Sequence, residues 1–523
     1  MRVEEFLRDS AQRAPDKVAL IAQGARHTYR ELDRRSNSLA GALLAAGVQK
    51  GDRVAIFLDN SVEVAIGLFA ALKAGAVFLV INSTTKSDTL AFVLNDCRAV
   101  GLISHARLES VIRGMTAPTP SLRWISLVGG GKESPRAGAQ TLDWNEASRV
   151  DGPVSASSPP SRSIDIDLAM IIYTSGSTGF PKGVMMTHAS VVNVATSITQ
   201  YLENSSSDII LSVLPLSFGY GLYQLLVAIR CGATLVLERT FAYPARIMEM
   251  IAEERVTGFP IIPTMAALIL QMRGLKPGQF PSLRYMTNAA AALPPAHIRA
   301  LRELFPNTKL YSMYGQTECT RVCYLPPDLL DKKPGSVGIA IPNTEVYIVN
   351  ESSERVGPGE VGELVVRGPH LMRGYWEREE ETARALRPGP LPGERVLYSG
   401  DLFTMDADGC LYFVSRKDDI IKTRGEKVSP KEVETVIASL PGVAEAAVVG
   451  MPDPMLGEAV KAIVVRRPDA TVSAQDVLRH CAGRLETFMV PKLVEFRDSL
   501  PHTPNGKVNK RELRLQAAGE VPS

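Results

Sequence analysis

Apolar residues recur along the first part of the chain in two alternating patterns. Tyr29–Ala46 carries apolar residues at helical spacing and stops before Gly47, whereas Arg53–Leu58 is a short apolar run typical of a strand. The same two patterns repeat at Ser61–Ala74 and Val77–Ile81. Strands that alternate with helices in this way predict a mostly parallel sheet covered by helices.

A second alternating stretch extends from about residue 209 to residue 330. Its predicted strands are Ile209–Leu214, Thr234–Leu237, Thr257–Ile262 and Leu283–Thr287. After residue 331 short strands are separated by Gly, Pro and Asp turns, which predicts a small β subdomain. Its strands are predicted at Glu345–Val349, Gly362–Arg367 and Leu411–Val414.

The chain becomes rich in charge after about residue 417. There the pattern predicts helices at Pro430–Ser439 and from Ala474, and strands at Ala446–Val449 and Ala462–Val465. The predicted fold class is therefore α/β. A large N-terminal domain of parallel-type sheets with helices carries the small β subdomain, and a small α+β domain follows. Residues 151–163 are rich in Pro and Ser and predict a surface loop.

Composition narrows the functional classes only modestly. A chain of 523 residues and 56.6 kDa is too long for one ordinary domain. The net charge of +2 gives no overall electrostatic reason to expect nucleic acid as a partner. No apolar run reaches about 18 residues, so no membrane span is predicted. The six cysteines are scattered and complete no zinc pattern, which favours reduced thiols and a cytoplasmic location.

The segment Tyr173-Thr-Ser-Gly-Ser-Thr-Gly-Phe-Pro-Lys-Gly183 follows a predicted strand at Leu168–Ile172. Its glycines let backbone N–H groups converge on an anion, its hydroxyls add donors, and Lys182 adds a positive charge. That chemistry suits a polyphosphate. The spacing is not that of a Walker A loop, because Pro181 stands where the second glycine is required. The alternative is an ordinary turn between strands.

Four later segments have modest chemical signals of their own. Tyr314-Gly-Gln-Thr-Glu318, after a predicted strand, offers an aromatic ring, a hydroxyl and a carboxylate that can ligate Mg²⁺. Tyr398-Ser-Gly-Asp401 presents a carboxylate after a tight turn, which is also what a plain turn looks like. Ser415–Lys427 is a run of charges, and Pro501-His-Thr-Pro-Asn-Gly-Lys507 is a rigid turn before a lysine; each also suits a solvated surface.

Taken together and in this order, these segments resemble the core motifs of the adenylate-forming superfamily. That superfamily includes acyl-CoA synthetases, adenylation domains of nonribosomal peptide synthetases and luciferases. The resemblance spans essentially the whole chain, from Thr28-Tyr-Arg-Glu-Leu through Gly362-Glu-Leu-Val-Val-Arg-Gly-Pro and Gly374-Tyr-Trp to Lys507. It implies activation of a carboxylic acid with ATP to an acyl-AMP, with release of pyrophosphate, followed by transfer to a thiol.

The resemblance also assigns roles residue by residue. Lys507, Thr317 and Glu318 would be catalytic, with Glu318 holding Mg²⁺. The nucleotide would be bound by Thr174, Ser175, Gly176, Ser177, Thr178, Gly179, Lys182, Ala290, Tyr314, Gly315, Asp401 and Arg416. Residues 1–416 would form the adenylation domain, 417–418 a hinge centred on Asp418, and 419–523 a mobile domain that carries Lys507. Lys422 and Gly425 would face the thiol tunnel in the second half-reaction.

Three departures from the family pattern bear on the acid. Phe218 stands where many acyl-CoA synthetases have histidine, and Gly219 where amino-acid-activating relatives have aspartate. Because a buried ammonium without a carboxylate is costly, an α-amino acid substrate is not expected. The family's Gly-Gly-Ala-Pro segment reads Asn288-Ala-Ala-Ala-Ala292, whose methyl groups narrow the predicted pocket.

An apolar, partly aromatic acyl pocket is predicted. Its candidate residues, each equally explicable by core packing, are Phe218, Gly219, Tyr220, Tyr223, Phe259, Ile262, Met265, Ala289 and Met313. A medium-chain or aryl acid fits such a pocket better than acetate does.

The first functional hypothesis is thus an acid–CoA ligase that uses ATP, Mg²⁺ and CoA. The alternative is a stand-alone adenylation enzyme that loads an acyl carrier protein. The sequence leaves the oligomeric state open, with a homodimer among the options.

Overall fold

The structure is a computed structural model. It describes residues 1–130, 133–150, 159–174, 181–423, 426–453, 455–503 and 506–519. The predicted phosphate-loop residues Ser175, Gly176, Ser177, Thr178 and Gly179, together with Gly425, lie outside the described residues. Most of the 151–163 segment lies outside them as well.

Fifteen α-helices are described. They are α1 (Glu5–Arg13), α2 (Tyr29–Ala45), α3 (Val62–Lys73), α4 (Ser87–Asp96), α5 (Glu109–Arg113), α6 (Trp144–Ala147), α7 (His188–Tyr201), α8 (Gly219–Cys231), α9 (Pro244–Glu253), α10 (Pro263–Gln271), α11 (Pro295–Leu304), α12 (Glu379–Ala385), α13 (Pro430–Ala438), α14 (Ala474–Ala482) and α15 (Lys510–Ala517). Short 3₁₀ helices lie at Ala106–Leu108, Pro327–Leu329 and Lys417–Asp419.

The described strands number twenty-seven. They are β1 (Val18–Ala22), β2 (Ala25–Thr28), β3 (Arg53–Phe57), β4 (Val77–Ile81), β5 (Ala99–His105), β6 (Trp124–Val128), β7 (Gln140–Thr141), β8 (Leu168–Thr174), β9 (Lys182–Thr187), β10 (Ile209–Ser212), β11 (Thr234–Leu237), β12 (Gly258–Ile261), β13 (Tyr285–Asn288), β14 (Lys309–Tyr314), β15 (Cys323–Leu325), β16 (Ser336–Ala340), β17 (Glu345–Val349), β18 (Gly362–Arg367), β19 (Gly374–Tyr375), β20 (Leu386–Pro388), β21 (Arg395–Met405), β22 (Leu411–Arg416), β23 (Ile421–Thr423), β24 (Glu426–Val428), β25 (Val443–Asp453), β26 (Gly457–Arg466) and β27 (Leu493–Arg497).

The chain folds into two compact units. The first unit contains Met1–Pro327, Ala340–Glu345 and Arg367–Leu397. The second unit contains Asp328–Ile339, Val346–Val366 and Tyr398–Ser523. The predicted domain limits at residues 416–419 concern movement in the catalytic cycle and stay a prediction.

Two mostly parallel sheets form the first unit. In one sheet the order is β14-β13-β12-β10-β11-β1-β2. The six strands β14, β13, β12, β10, β11 and β1 are parallel to one another, whereas β2 is antiparallel to β1 and β15 is antiparallel to β14. In the other the order is β19-β9-β8-β4-β3-β5-β6-β7, where β9 is antiparallel to both β8 and β19 and the strands from β8 to β7 in this order pair in parallel. The central strands are buried on both faces, which explains why they read as continuous apolar runs.

Local sequence sets the limits of the covering helices. Thr28 caps α2 by accepting a hydrogen bond from the Glu31 N–H, so the helix begins at Tyr29 as its polar–apolar pattern predicts. Helix α8 ends at Gly232, which has a left-handed φ of 73°.

The second unit has a sheet of order β17-β18-β21-β22-β16, in which β22 is antiparallel to both β21 and β16, and a separate sheet built from β23 to β27. In the separate sheet β25 and β26 form a long antiparallel pair, and α13 and α14 pack against its apolar face through Val433, Ile437 and Val477. The predicted β subdomain and C-terminal α+β domain are thus confirmed. Among the described residues no helix combines the length and the hydropathy needed to cross a bilayer.

Candidate functional site

The predicted site segments of the first unit follow the carboxyl ends of its parallel strands. Strands β10, β12, β13 and β14 are parallel neighbours, so their carboxyl ends lie along one edge of the sheet. The segments that follow these strands contain Phe218, Met265, Ala290 and Glu318. This edge is where open α/β sheets bind ligands.

The predicted phosphate loop is flanked by two antiparallel strands. Thr174 ends β8 and Lys182 begins β9, and the two residues pair directly in the strand register. A Walker A loop would instead lead into a helix. The described flanks therefore agree with the sequence argument that this loop is of another type.

Glu318 is held in place by a tyrosine. The Tyr375 hydroxyl donates a hydrogen bond to Glu318 Oε1 at 2.7 Å, and the Glu318 carbonyl accepts one from the Met372 N–H at 2.7 Å. The Lys182 ammonium lies 5.4 Å from the centre of the Tyr375 ring, within cation–π range. Tyr375 thus connects the end of the phosphate loop with the predicted metal ligand.

Asp96 fixes the surroundings of that tyrosine. Its carboxylate accepts hydrogen bonds from the Tyr173 hydroxyl at 2.6 Å and from the Arg378 guanidinium at 2.6 Å. Its carbonyl accepts another from the Trp376 indole N–H at 3.0 Å. The last turn of α4 is thereby tied both to the strand before the phosphate loop and to the residue after Tyr375.

The Tyr314–Glu318 motif turns tightly back on itself. A Cβ at Gly315 would lie 2.3 Å from the Thr320 carbonyl oxygen, so only glycine fits there. Thr320 has a φ of 60°, which is a true outlier for a β-branched residue. This strained turn leads directly into Arg321, a residue that is only 3 % exposed.

Several predicted acyl-pocket residues lie around Arg321. Its guanidinium is 5.2 Å from the centre of the Tyr220 ring, and the Tyr220 hydroxyl bonds to the Thr287 carbonyl at 2.8 Å. Tyr223 is also close enough for the Arg321 charge to lower its pKa, although burial dominates and the net pKa is raised. Burial raises the pKa of Tyr201 to about 12 against the same opposing charge.

The other pocket candidates are placed as follows. The Tyr201 hydroxyl contacts Met313 Sδ at 3.2 Å, and Met265 lies buried on α10. Phe259 is fully buried and its ring centre is 6.4 Å from that of Phe241. These contacts agree with a partly aromatic pocket and with core packing alike, so the pocket assignment stays a prediction.

Two small residues border open space. A Cβ on Gly219 would meet no atom within 4 Å, so an aspartate would fit there sterically. Steric hindrance therefore does not explain why position 219 lacks an aspartate. Ala290 has a left-handed φ of 74° and is exposed, and Asn288 braces its turn by donating to the Ala291 carbonyl at 2.9 Å.

The second unit contains the two predicted ribose ligands. Asp401 on β21 and Arg416 on β22 pair in register, and Arg416 Nε lies 3.0 Å from Asp401 Oδ1. Asp401 is buried, whereas the Arg416 side chain is 47 % exposed. Glu363 supports the same corner by accepting hydrogen bonds from the Gly400 N–H at 3.0 Å and the Lys417 ammonium at 2.9 Å.

Three further predicted residues are exposed in the second unit. Lys507 is presented by a turn in which its N–H donates to Thr503 Oγ1 at 3.2 Å and its carbonyl accepts from the Thr503 N–H at 2.7 Å. Asp418, the predicted hinge, lies in the short 3₁₀ segment Lys417–Asp419. Lys422 is in β23, where its N–H donates to Glu458 Oε2 at 2.8 Å.

Sequence reasoning missed two functional candidates, Tyr375 and Arg321. Tyr375 stood in a motif that carried the resemblance, but its partner Glu318 is 57 residues away in the chain. The sequence signal for Arg321 was weak. A charged residue directly before the apolar Val322-Cys-Tyr-Leu run is unusual, because arginine is rarely buried unless it has a partner.

Comparison with known proteins agrees with this geometry. The chain is similar to a feruloyl-CoA synthase from Amycolatopsis sp, with 34% identity over 506 residues and coverage of 96% of each chain. It is similar to a long-chain-fatty-acid–CoA ligase from Escherichia coli O157:H7, with 30% identity over 543 residues and coverage of 99% of this chain and 95% of that one. The crystal structure of ATP-bound MatB from Rhodopseudomonas palustris superimposes with a TM-score of 0.87, 29% identity and 99% coverage of both chains.

The family model described as AMP-binding enzyme matches residues 7–376, and the model of the AMP-binding enzyme C-terminal domain matches residues 432–507. The resemblance drawn from the motifs is thereby confirmed. This chain belongs to the AMP-binding enzyme family.

Proposed function

We propose that the protein is an ATP-dependent acid–CoA ligase. It converts a carboxylic acid and ATP to an acyl-AMP and pyrophosphate, and then transfers the acyl group to the thiol of CoA. The observation that carries the proposal is the Lys182–Tyr375–Glu318 arrangement, which puts a cation and an oriented carboxylate beside the strands that flank the phosphate loop. The prediction of an AMP-forming acyl-CoA synthetase is confirmed by the feruloyl-CoA synthase and the fatty-acid–CoA ligase.

The residues of the first unit would prepare the first half-reaction. Thr174 and Lys182 would bind the terminal phosphates, and Tyr314 would pack against adenine. A carboxylate is a poor electrophile because its oxide cannot leave, so its oxygen must attack the α-phosphorus instead. The bond from that phosphorus to pyrophosphate breaks as the new one forms, and Thr317 would bind the α-phosphate oxygens.

Mg²⁺ fits this site as a substrate-borne ion. No group of three or more His, Cys, Asp or Glu side chains suited to a metal occurs in the part of the chain that the structure describes. Mg²⁺ commonly uses one or two carboxylates together with substrate phosphates. A carboxylate has about four acceptor positions, so the Tyr375 bond leaves Glu318 able to ligate. When bound with ATP, the ion would neutralise phosphate charge.

The residues of the second unit would complete the reaction. Asp401 and Arg416 would bind the ribose hydroxyls, and Lys507 would stabilise the charge that develops at the α-phosphate. Rotation about Asp418 would then replace Lys507 by the Lys422–Lys427 segment for thioester formation. A medium-chain or aryl acid is proposed, and an α-amino acid is not expected because Gly219 supplies no carboxylate for an ammonium group.

Lys507 provides the first test. Lys507→Ala should abolish most acid-dependent ATP–pyrophosphate exchange, while thioester formation from supplied acyl-AMP continues. Lys431→Ala, which removes an exposed lysine from the same unit, is the matched control. Near-normal exchange by Lys507→Ala would show that this lysine has another role.

The hinge and the acceptor need separate experiments. Asp418→Pro should impair thioester formation more than adenylation, with Asp418→Ala as control. Equal loss of both activities contradicts the hinge.

For the acceptor, enzyme, ATP and an acid panel that includes α-amino acids are incubated with either CoA or phosphopantetheinylated carrier protein. Product with carrier protein alone would favour the alternative, a stand-alone loading enzyme, and turnover of α-amino acids would overturn the Gly219 argument.

A further inference from the structure

Arg321 is a buried cation that the described part of the chain does not neutralise. The residue is 3 % exposed, and none of the described carboxylates lies within 4.0 Å of its guanidinium. Its Nε is buried without a hydrogen-bond partner among the described residues. An isolated buried charge is strongly unfavourable unless a counter-charge joins it, because burial removes its hydration.

The surroundings of Arg321 are aromatic and neutral. The Tyr220 ring lies 5.2 Å from the guanidinium, and Tyr201 and Tyr223 are close enough for its charge to act on their hydroxyls. Burial nevertheless keeps the pKa of all three tyrosines raised, so none of them supplies a negative charge at neutral pH. A cation–π contact offsets only part of the desolvation of a cation.

The backbone holds Arg321 in this position at a cost. Thr320 adopts a left-handed φ of 60°, and the Thr320 carbonyl presses so closely on Gly315 that no Cβ fits. Strain of this kind persists where the surrounding structure fixes it, and it clusters at binding sites. The same turn carries Thr317 and Glu318, so the guanidinium is fixed relative to the reacting end of the site.

We propose that Arg321 binds a second carboxylate of the substrate, so that the enzyme activates dicarboxylic acids. This inference rests on the proposed function. One carboxylate of the acid attacks the α-phosphorus and becomes the acyl-AMP, while the other stays unreacted as the counter-ion of Arg321. The Tyr220 and Tyr223 rings flank the acyl part between the two groups. Arginine suits this role because its planar fork bonds both carboxylate oxygens.

The test compares acids that match in size but differ in one charge. The pairs are adipate with hexanoate, and terephthalate with 4-methylbenzoate, and kcat/KM is measured by acid-dependent ATP–pyrophosphate exchange. The wild type should prefer the dicarboxylate of a pair by roughly 10- to 100-fold, the range of one charge-assisted hydrogen-bonded pair. Arg321→Met should reverse that order, and Arg321→Lys should retain part of it.

The outcomes separate this inference from the proposed function. Exchange that favours the monocarboxylate of both pairs in the wild type contradicts the role of Arg321 and leaves the ligase intact. If none of the acids supports ATP–pyrophosphate exchange, the proposed ligase function itself is contradicted. In that case calorimetry of adipate and terephthalate binding still decides on Arg321, since equal affinity for the wild type and Arg321→Lys or Arg321→Met would overturn the inference.

Discussion

Two buried cations in the first unit have opposite surroundings. Lys73, at the end of α3, has a side chain 1 % exposed, and its ammonium donates to Asp33 Oδ1 at 2.6 Å, Ser36 Oγ at 2.7 Å and Asn37 Oδ1 at 2.8 Å. Arg321 is 3 % exposed, with no described carboxylate within 4.0 Å. Burial lowers the pKa of Lys73, and Asp33 opposes that shift.

The difference teaches how a structural charge can be told from a functional one. Lys73 ties α2 to α3 and finds all its partners within those helices, so nothing from outside is needed. Arg321 is equally withdrawn from water, but its described neighbours include the Tyr220 ring and no carboxylate within 4.0 Å, and a strained turn precedes it. Removing a charge that the fold compensates leaves its buried partners unpaired and destabilises the fold, whereas a charge that the fold leaves uncompensated is suited to a ligand.

Removing the compensated cation should have the largest effect. Lys73→Met leaves the Asp33 carboxylate and the Asn37 amide without their buried partner, so the free energy of unfolding should fall by about 3–5 kcal/mol. Urea denaturation measures the loss. Lys86→Met, at an exposed position, should stay within about 0.5 kcal/mol of the wild type. A small loss at Lys73 would remove the contrast with Arg321.

A third buried basic residue, His188, avoids the cost of burying a positive charge because it remains neutral. His188 Nδ1 accepts a hydrogen bond from the Val3 N–H at 3.1 Å, and burial lowers the pKa of His188 to about 4. Its contribution to stability is full above the unfolded pKa of about 6.5 and is lost as the pH falls towards 4, by up to about 3 kcal/mol. Asp167 opposes the shift only partly, and the nearby Glu4 carboxyl has a raised pKa.

Unfolding curves between pH 7 and pH 4 test this sign. The slope should be smaller for His188→Gln, which keeps an acceptor for the Val3 N–H but cannot titrate. Because other groups also titrate in this range, the difference between the two proteins is the quantity to compare. Parallel curves for the variant and the wild type would show that His188 does not govern the slope.

Glu318 extends the comparison to a carboxylate that accepts a hydrogen bond from within the protein, from the Tyr375 hydroxyl. Tyr375→Phe removes the hydroxyl that orients Glu318 and should lower kcat/KM for exchange by roughly 10- to 100-fold, as expected for a hydrogen bond to a charged group. Tyr412→Phe is the matched control, since Tyr412 donates to Asp406 at 3.1 Å in the second unit. Equal rates for both variants would mean that Glu318 needs no support from Tyr375.

The smallest effect on stability is expected for the uncompensated cation. Arg321→Met should leave the free energy of unfolding within about 1 kcal/mol of the wild type or raise it, because replacing buried charge by an apolar side chain is often neutral or stabilising. The same urea denaturation used for Lys73→Met measures it. A loss as large as that of Lys73→Met would mean that Arg321 is structural.

Much of the fold could be predicted because buried strands leave a clear local pattern. Val77–Ile81 and Thr234–Leu237 were predicted with the bounds observed, since apolar runs between glycine and polar punctuation leave little choice. The helix predicted from Ser61 begins at Val62, because Ser61 has the extended backbone of a cap. Strand Val443–Asp453 extends well beyond the predicted Ala446–Val449, since its pairing with β26 continues into polar residues.

Candidate residues for the site could be proposed from the sequence, but their contacts could not. Motif order identified Glu318, Asp401, Arg416 and Lys507, yet the hydrogen bond from Tyr375 depends on how distant segments meet. Nor does any local pattern announce a left-handed threonine at position 320, which exists only because the chain crosses Gly315 there. These features arise from tertiary structure, and their roles stay predictions until the variants are measured.

Trp376, the residue after Tyr375, gives the protein an intrinsic fluorophore close to the candidate site. The chain has three tryptophans, of which Trp124 and Trp144 are buried while Trp376 is partly exposed. Trp376 lies with its ring near the Arg53 guanidinium at 5.1 Å and hydrogen-bonds the Asp96 carbonyl. Quenchers in solution should therefore reach Trp376 before Trp124 and Trp144, so a quenching titration would report changes in the exposure of this indole without any attached dye.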